Sequence, residues 1–162
     1  MIDLDMIAGL LCQAHANGRR IYVMGNGGSA AAANHFVCDL VKIGYPAFSL
    51  AANVPLITML ANDYGYKNIF AMQLEPVLEP GDIVIAISTS GNSPNVVKAV
   101  KFANSVDAIT VGFLGWPGGK LKDWVEYPMT TSPIRNLTAE DWHTIWIHNI
   151  CRNLQSEDRD GA

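Results

Sequence analysis

The run Ile21-Tyr22-Val23-Met24-Gly25-Asn26-Gly27-Gly28-Ser29-Ala30 sets a short apolar strand directly against a glycine-rich turn, and the small residues Ala31-Ala32-Ala33 follow as a helix start. Glycines permit positive φ and close backbone approach, and Ser29 is a favourable N-cap. Amides at such a helix start favour an anion in the turn. Read literally, the turn also satisfies the G-x-G-x-x-A dinucleotide fingerprint. That reading requires an acid about 20 residues on, at the end of the next strand, to hold a ribose hydroxyl. The next strand instead ends Leu50-Ala51-Ala52-Asn53, which argues against a dinucleotide.

Outward from this unit the same alternation repeats. Apolar runs at 47–50, 83–87, 108–113 and, more weakly, 125–129 read as further strands. Helical patterns occupy 4–16, 30–42, 54–60, 68–78, 94–103 and 138–154. Continuously apolar strands alternating with helices predict a parallel sheet covered on both faces, an open α/β sandwich. The chain's 162 residues, 49% of them hydrophobic, suit one core-bearing domain over 1–155, with a polar, frayed tail at 156–162.

A second turn follows the third strand: Ser88-Thr89-Ser90-Gly91-Asn92-Ser93-Pro94. Ser93 is placed to cap the next helix and Pro94 to open it. The remaining hydroxyls exceed what a cap needs and could surround phosphate oxygens with donors. No Gly-Lys-Ser/Thr ending follows, so a magnesium triphosphate is not implied. If the first and third strands are neighbours, both turns flank the topological switch point, where α/β sheets bind ligands.

The net charge of −4 excludes a broad nucleic-acid or anionic-membrane surface. No apolar run approaches the roughly 18 residues of a membrane span. Cys12, Cys38 and Cys151 are odd in number and widely spaced, which fits a reducing, cytoplasmic location.

Other polar residues read two ways. His35 and Asp39 share a helix face and form either a surface pair or half of a metal site. Thr138 and Asp141 fit an N-terminal capping arrangement. His143 and His148 lie among Trp142, Ile145, Trp146, Ile147 and Ile150, where a histidine is often a satisfied core residue. Asp63, in Asn62-Asp63-Tyr64-Gly65, reads as an Asx-turn residue. Lys120 could bring positive charge near a phosphate or simply be solvated.

Four stretches together carry a family resemblance: Gly25-Asn26-Gly27-Gly28-Ser29-Ala30, Leu60-Ala61-Asn62-Asp63-Tyr64-Gly65-Tyr66, Ile87-Ser88-Thr89-Ser90-Gly91-Asn92-Ser93 and Gly118-Gly119-Lys120-Leu121. In collinear order, over about residues 20 to 155, they resemble the SIS-domain phosphoheptose isomerases, which convert sedoheptulose 7-phosphate to the aldose heptose 7-phosphate. The resemblance implies a flavodoxin-like three-layer α/β/α sandwich with a five-stranded parallel sheet. It implies a phosphorylated-sugar substrate held by Asn26, Gly27, Gly28, Ser29, Ser88, Thr89, Ser90 and Ser93, with Asp63 as a secondary site residue. It also implies a homotetramer, with a dimer as the alternative for a short N-terminus. One zinc per subunit is implied on His35, Asp39, Glu140 and His148, with Asp39 as base and His148 as acid in cis-enediol chemistry.

Among the chain's departures from the family pattern are three replacements, beside a short loop between Asp39 and the second strand and an expected long N-terminal helix that is largely missing. Asp39 replaces a longer Glu, Glu140 replaces a Gln, and Leu137-Thr138 replaces an Asp-Arg pair. The motifs Cys38-Asp39-Leu40 and Glu140-Asp141…His143 resemble a divergent branch of the family. Two other functions compete: a non-catalytic SIS module binding a phosphosugar or a protein, and an isomerase of another sugar phosphate.

Overall fold

The computed structural model describes residues 4–132 and 138–160, the last four by backbone alone. Five strands, β1 Ile21–Gly25, β2 Ala47–Ser49, β3 Ile83–Ser88, β4 Ile109–Leu114 and β5 Tyr127–Thr130, form one all-parallel sheet in the order β2-β1-β3-β4-β5. The side-chain period of two divides each strand between two cores. Ile21, Val23, Ile83, Ile85, Ile87, Val111 and Phe113 face one side. Helices α1 (Leu4–Ala16), α2 (Gly28–Lys42) and α6 (Ala139–Asp160) cover it with Leu11, Phe36, Leu40, Ile147 and Ile150. Tyr22, Met24, Val84, Ala86 and Leu114 face the other side. There α3 (Val54–Tyr64), α4 (Ala71–Leu74) and α5 (Pro94–Ser105) supply Leu60, Leu74, Val96 and Val100. Burial on both faces is why the central strands carry no polar alternation.

β1 and β3 are neighbours in register from Ile21↔Ile83 to Gly25↔Ile87. The chain leaves β1 into α2 on one face and β3 into α5 on the other, so a crevice opens between the two turns. This is the three-layer α/β/α arrangement expected from the sequence.

Several local expectations need correction. The helix expected over 68–78 is reduced to α4, preceded by a 3₁₀ turn at Tyr66–Asn68, because Pro76 cannot donate and halts the run. Helix α3 continues to Tyr64, so Asp63 lies inside a helix rather than in an Asx turn. Helix α6 continues past the expected end at 154 to Asp160. Gly27, not Ser29, occupies the N-cap of α2, and Ser93 stands at the N-cap of α5 without a side-chain capping bond. At α6 the expected cap is present: the Thr138 amide donates to Asp141 Oδ2 at 2.8 Å, and the Asp141 amide donates to Thr138 Oγ1 at 3.2 Å. The Thr138 amide and hydroxyl hold the Asp141 carboxyl below its ordinary range. Leu137 lies outside the described residues.

His143 is buried, but it is not a satisfied core residue: neither ring nitrogen has a hydrogen-bond partner among the described residues. Burial pushes its pKa down to about 4, against the attraction of Glu140 and the nearby Leu114 carbonyl for the charged ring. The unfolded chain, near 6.5, therefore takes up this proton first as pH falls. His143 contributes full stability above about pH 6.5, and that contribution is lost as pH falls toward 4, amounting to about 3 kcal/mol. Urea unfolding at pH 7 and 4.5 should show this loss in the native chain and a much smaller one in His143→Leu.

Candidate functional site

The first turn is a junction of three segments. Asn26 and Asn95 exchange side-chain amide bonds, Nδ2 of each donating to Oδ1 of the other at 2.9 and 2.8 Å. Tyr66 Oη adds a bond to Asn26 Oδ1 at 2.9 Å. Asn95 is 1% exposed, so the pair is a satisfied buried network that fixes the start of α2 against the start of α5. Both polar atoms of the Asn26 side chain are thus engaged within the protein. The Ser29 and Ala30 amides are likewise bonded within the turn, to the Asn26 and Gly27 carbonyls at 3.0 Å.

In the second turn two serine hydroxyls, those of Ser88 and Ser90, keep their protons available. Ser88 Oγ accepts from the Gly91 amide at 3.1 Å, and Ser90 Oγ accepts from the Asn92 amide at 3.2 Å. Each hydroxyl acts there as an acceptor, leaving its O–H free to donate to an anion. These residues, with Thr89, Ser93, Gly28 and Ser29, border a cavity of about 180 Å³ between the two turns. Glu140 borders it too, and its Oε1 accepts from Thr89 Oγ1 at 3.2 Å.

A loop from Gly115 to Gly119 forms the back wall of the serine turn. A Cβ at Gly115 would sit 2.1 Å from the Thr89 carbonyl oxygen, and one at Gly119 would sit 2.4 Å from that of Ser90. The Leu121 amide donates to the Gly91 carbonyl at 2.9 Å, and the Lys120 amide to Asn92 Oδ1 at 3.1 Å. The Lys120 side chain itself is exposed.

Farther along the seam between α2 and α6, His35, Asp39 and His148 converge, with one potential ligand atom of each within 4.8 Å of the others. His35 Nε2 lies 2.9 Å from His148 Nε2 and 3.4 Å from Asp39 Oδ2. Two imidazole nitrogens can face each other in this way only by sharing a proton or a cation. Tetrahedral zinc, with bonds of about 2.0–2.1 Å, sets its ligand atoms about 3.3 Å apart, so this N₂O donor set fits the ion. Glu140 is not in the cluster; it precedes His148 by about 12 Å of helix rise and turns toward Thr89. Asp63 is exposed, accepts from Asn62 at 2.7 Å and does not border the cavity.

The structure therefore gathers the serine turn, Gly28, Ser29 and Glu140 at one point, and His35, Asp39 and His148 at another along the same seam. Sequence reading missed Asn95, Tyr66 and Gly115. Their partners lie tens of residues away, and no local spacing announces them.

A doubly wound sheet with such turns at its switch point defines a SIS-domain protein, and the sequence profile of the SIS domain matches residues 2–115. The phosphoheptose isomerase of Geotalea daltonii is 41% identical over 152 residues, covering 90% of this chain and 79% of the relative. That of Geobacter metallireducens is 40% identical over 150 residues, covering 89% and 79%. The solved phosphoheptose isomerase of Neisseria gonorrhoeae superposes with a TM-score of 0.88 at 33% identity, over 93% of this chain and 83% of that one. The Francisella tularensis enzyme gives 0.90 at 28% identity, over 94% and 84%. The chain belongs to the phosphoheptose isomerase family.

Proposed function

We propose that this chain isomerises sedoheptulose 7-phosphate to D-glycero-D-manno-heptose 7-phosphate. The observation that carries this reading is the two-ended seam: hydroxyl donors at the serine turn and a carboxylate–imidazole cluster farther along α2. His35 lies seven positions after Gly28, about 10 Å of helix rise, which is comparable to an extended phosphosugar.

In this reading the Ser88, Thr89, Ser90 and Ser93 hydroxyls hold the phosphate, and Asn26 acts indirectly by fixing the first turn. Asp39 removes a proton from the hydroxymethyl carbon beside the ketone, forming a cis-enediol. His148 exchanges protons with the two adjacent oxygens, and Asp39 returns its proton to the former carbonyl carbon. His35, Asp39 and His148 would hold one zinc per subunit. That ion supplies Lewis acidity toward the carbonyl and hydroxyl oxygens. A carboxylate on a metal is a weaker base, so the ligand and base roles of Asp39 compete.

The assembly proposed is a homotetramer or, failing that, a dimer. Supporting it, Val54 is 63% and Met59 44% exposed on the largely apolar α3, and Phe48 is 49% exposed on edge strand β2. A cytoplasmic location is proposed from the phosphorylated substrate and from three cysteines, Cys12, Cys38 and Cys151, that lie far apart in sequence. Among the described residues no helix is long and apolar enough to cross a membrane.

The test is deuterium incorporation at the carbons flanking the carbonyl, followed by NMR with sedoheptulose 7-phosphate in deuterated water, with and without zinc. Metal-stimulated incorporation together with aldose formation is expected. Tight phosphosugar binding without incorporation under any metal condition would instead assign a non-catalytic binding module.

A further inference from the structure

Beyond the histidine–aspartate cluster, the α2–α6 seam opens into a separate cavity of about 190 Å³. Asp39, His148 and Cys151 border it on the cluster side, and Lys42, Arg152 and Gln155 complete it. Helix periodicity explains the convergence. Asp39 and Lys42 are three apart on α2, while His148, Arg152 and Gln155 follow at i, i+4 and i+7 on α6. Two cations therefore share one concavity in a chain of net charge −4. Among the described residues neither Lys42 nor Arg152 has an ion-pair partner. The carboxylate that borders the cavity, Asp39, is directed at His35.

We infer that Lys42, Arg152 and Gln155 form a second anion subsite, which takes a phosphate or carboxylate group next to the histidine–aspartate cluster. Arg152 presents a planar fork of donors suited to two oxygens at once, Lys42 a point charge, and Gln155 an amide N–H. The serine turn offers neutral hydroxyl donors instead, so the two subsites differ in kind. The anion at the new subsite is either a second acidic group on a phosphosugar already anchored at the serine turn, or a free anion. The subsite itself stands on the cavity and its cations and does not require isomerase activity.

The experiment is a ³¹P NMR and calorimetric titration of the zinc-loaded protein with inorganic phosphate. Two equivalents are expected, and Lys42→Gln/Arg152→Gln should weaken one of them tenfold or more while changing the other less than about twofold. That weaker equivalent should also fall with added salt, as an exposed cationic site does. Ser88→Ala should remove the other equivalent and spare this one. Lys42→Arg/Arg152→Lys, which keeps both charges, should retain two equivalents and so separates loss of charge from misfolding. A sugar bisphosphate that outbinds the monophosphate in the native chain, but not in the double Gln variant, would identify one ligand spanning both subsites. Equal affinities with two phosphate equivalents would identify a free anion. A single equivalent that answers only to Ser88→Ala, or two equivalents surviving the double Gln variant, would overturn the inference. Because the readout is phosphate bound, it remains decisive even if deuterium incorporation fails and the isomerase reading falls.

Discussion

Asp39→Asn should lower isomerisation and deuterium incorporation by about a thousandfold while leaving phosphosugar affinity within a few fold. The substitution keeps the shape of the side chain and removes its charge and basicity. Asp39 lies partly buried on α2, 3.4 Å from His35 Nε2, in the cluster that also holds His148. The phosphate contacts proposed above lie elsewhere, on the serine turn, so a variant that binds and does not exchange is the signature of a lost base. The metal role needs its own readout, because an amide oxygen is also a weaker ligand. Chelator competition for zinc measures it, and a thousandfold kinetic loss with modest loss of zinc affinity would assign the base to Asp39. Asp39→Glu restores the length of the acid on the family pattern and should keep exchange within about tenfold. Exchange that persists in Asp39→Asn would move the base to another group of the cluster, with His148 first in line.

How far this site could be read beforehand depended on the range over which each signal acts. β1, β3 and β4 were legible to within a residue because burial on both faces demands unbroken apolar runs, and glycine or serine ends them. The serine turn and the His35–Asp39 spacing were legible because both are local. Helix ends were less so: Pro76 had to outweigh the apolar residues around it, and Gly27 displaced the better-looking Ser29 as the cap of α2. The interlocked Asn26 and Asn95 side chains, 69 residues apart, have no local signature at all. Nor does the direction of Glu140. The family resemblance puts it in one ligand set with His148, yet its carboxylate meets Thr89 across the crevice. Spacing along a helix fixes a face and a height, while the partner across the seam fixes which way a long side chain turns.

That dependence on facing backbone makes Gly91→Ala the substitution with the largest expected effect on stability. Gly91 sits at φ +63°, where a Cβ is already disfavoured, and that Cβ would fall 1.9 Å from the Gly118 carbonyl oxygen. The obstacle is backbone on a loop that is itself pressed against Ser90, so no side chain can swing aside. Gly27→Ala isolates the conformational part of the cost: its φ is +54°, and nothing lies within 4 Å of the added carbon. Gly27→Ala should cost about 1 kcal/mol and Gly91→Ala about 3 kcal/mol or more, a difference of several degrees in Tm for a chain of this size. The two should also part company in function. The Gly91 amide holds Ser88 Oγ, so shifting Gly91 turns a hydroxyl proposed to bind phosphate out of place and should weaken phosphate binding at the serine turn about tenfold. Matching melting temperatures and matching phosphate affinities in the two variants would mean that the Gly115–Gly119 wall yields, and that the serine turn holds its shape without it.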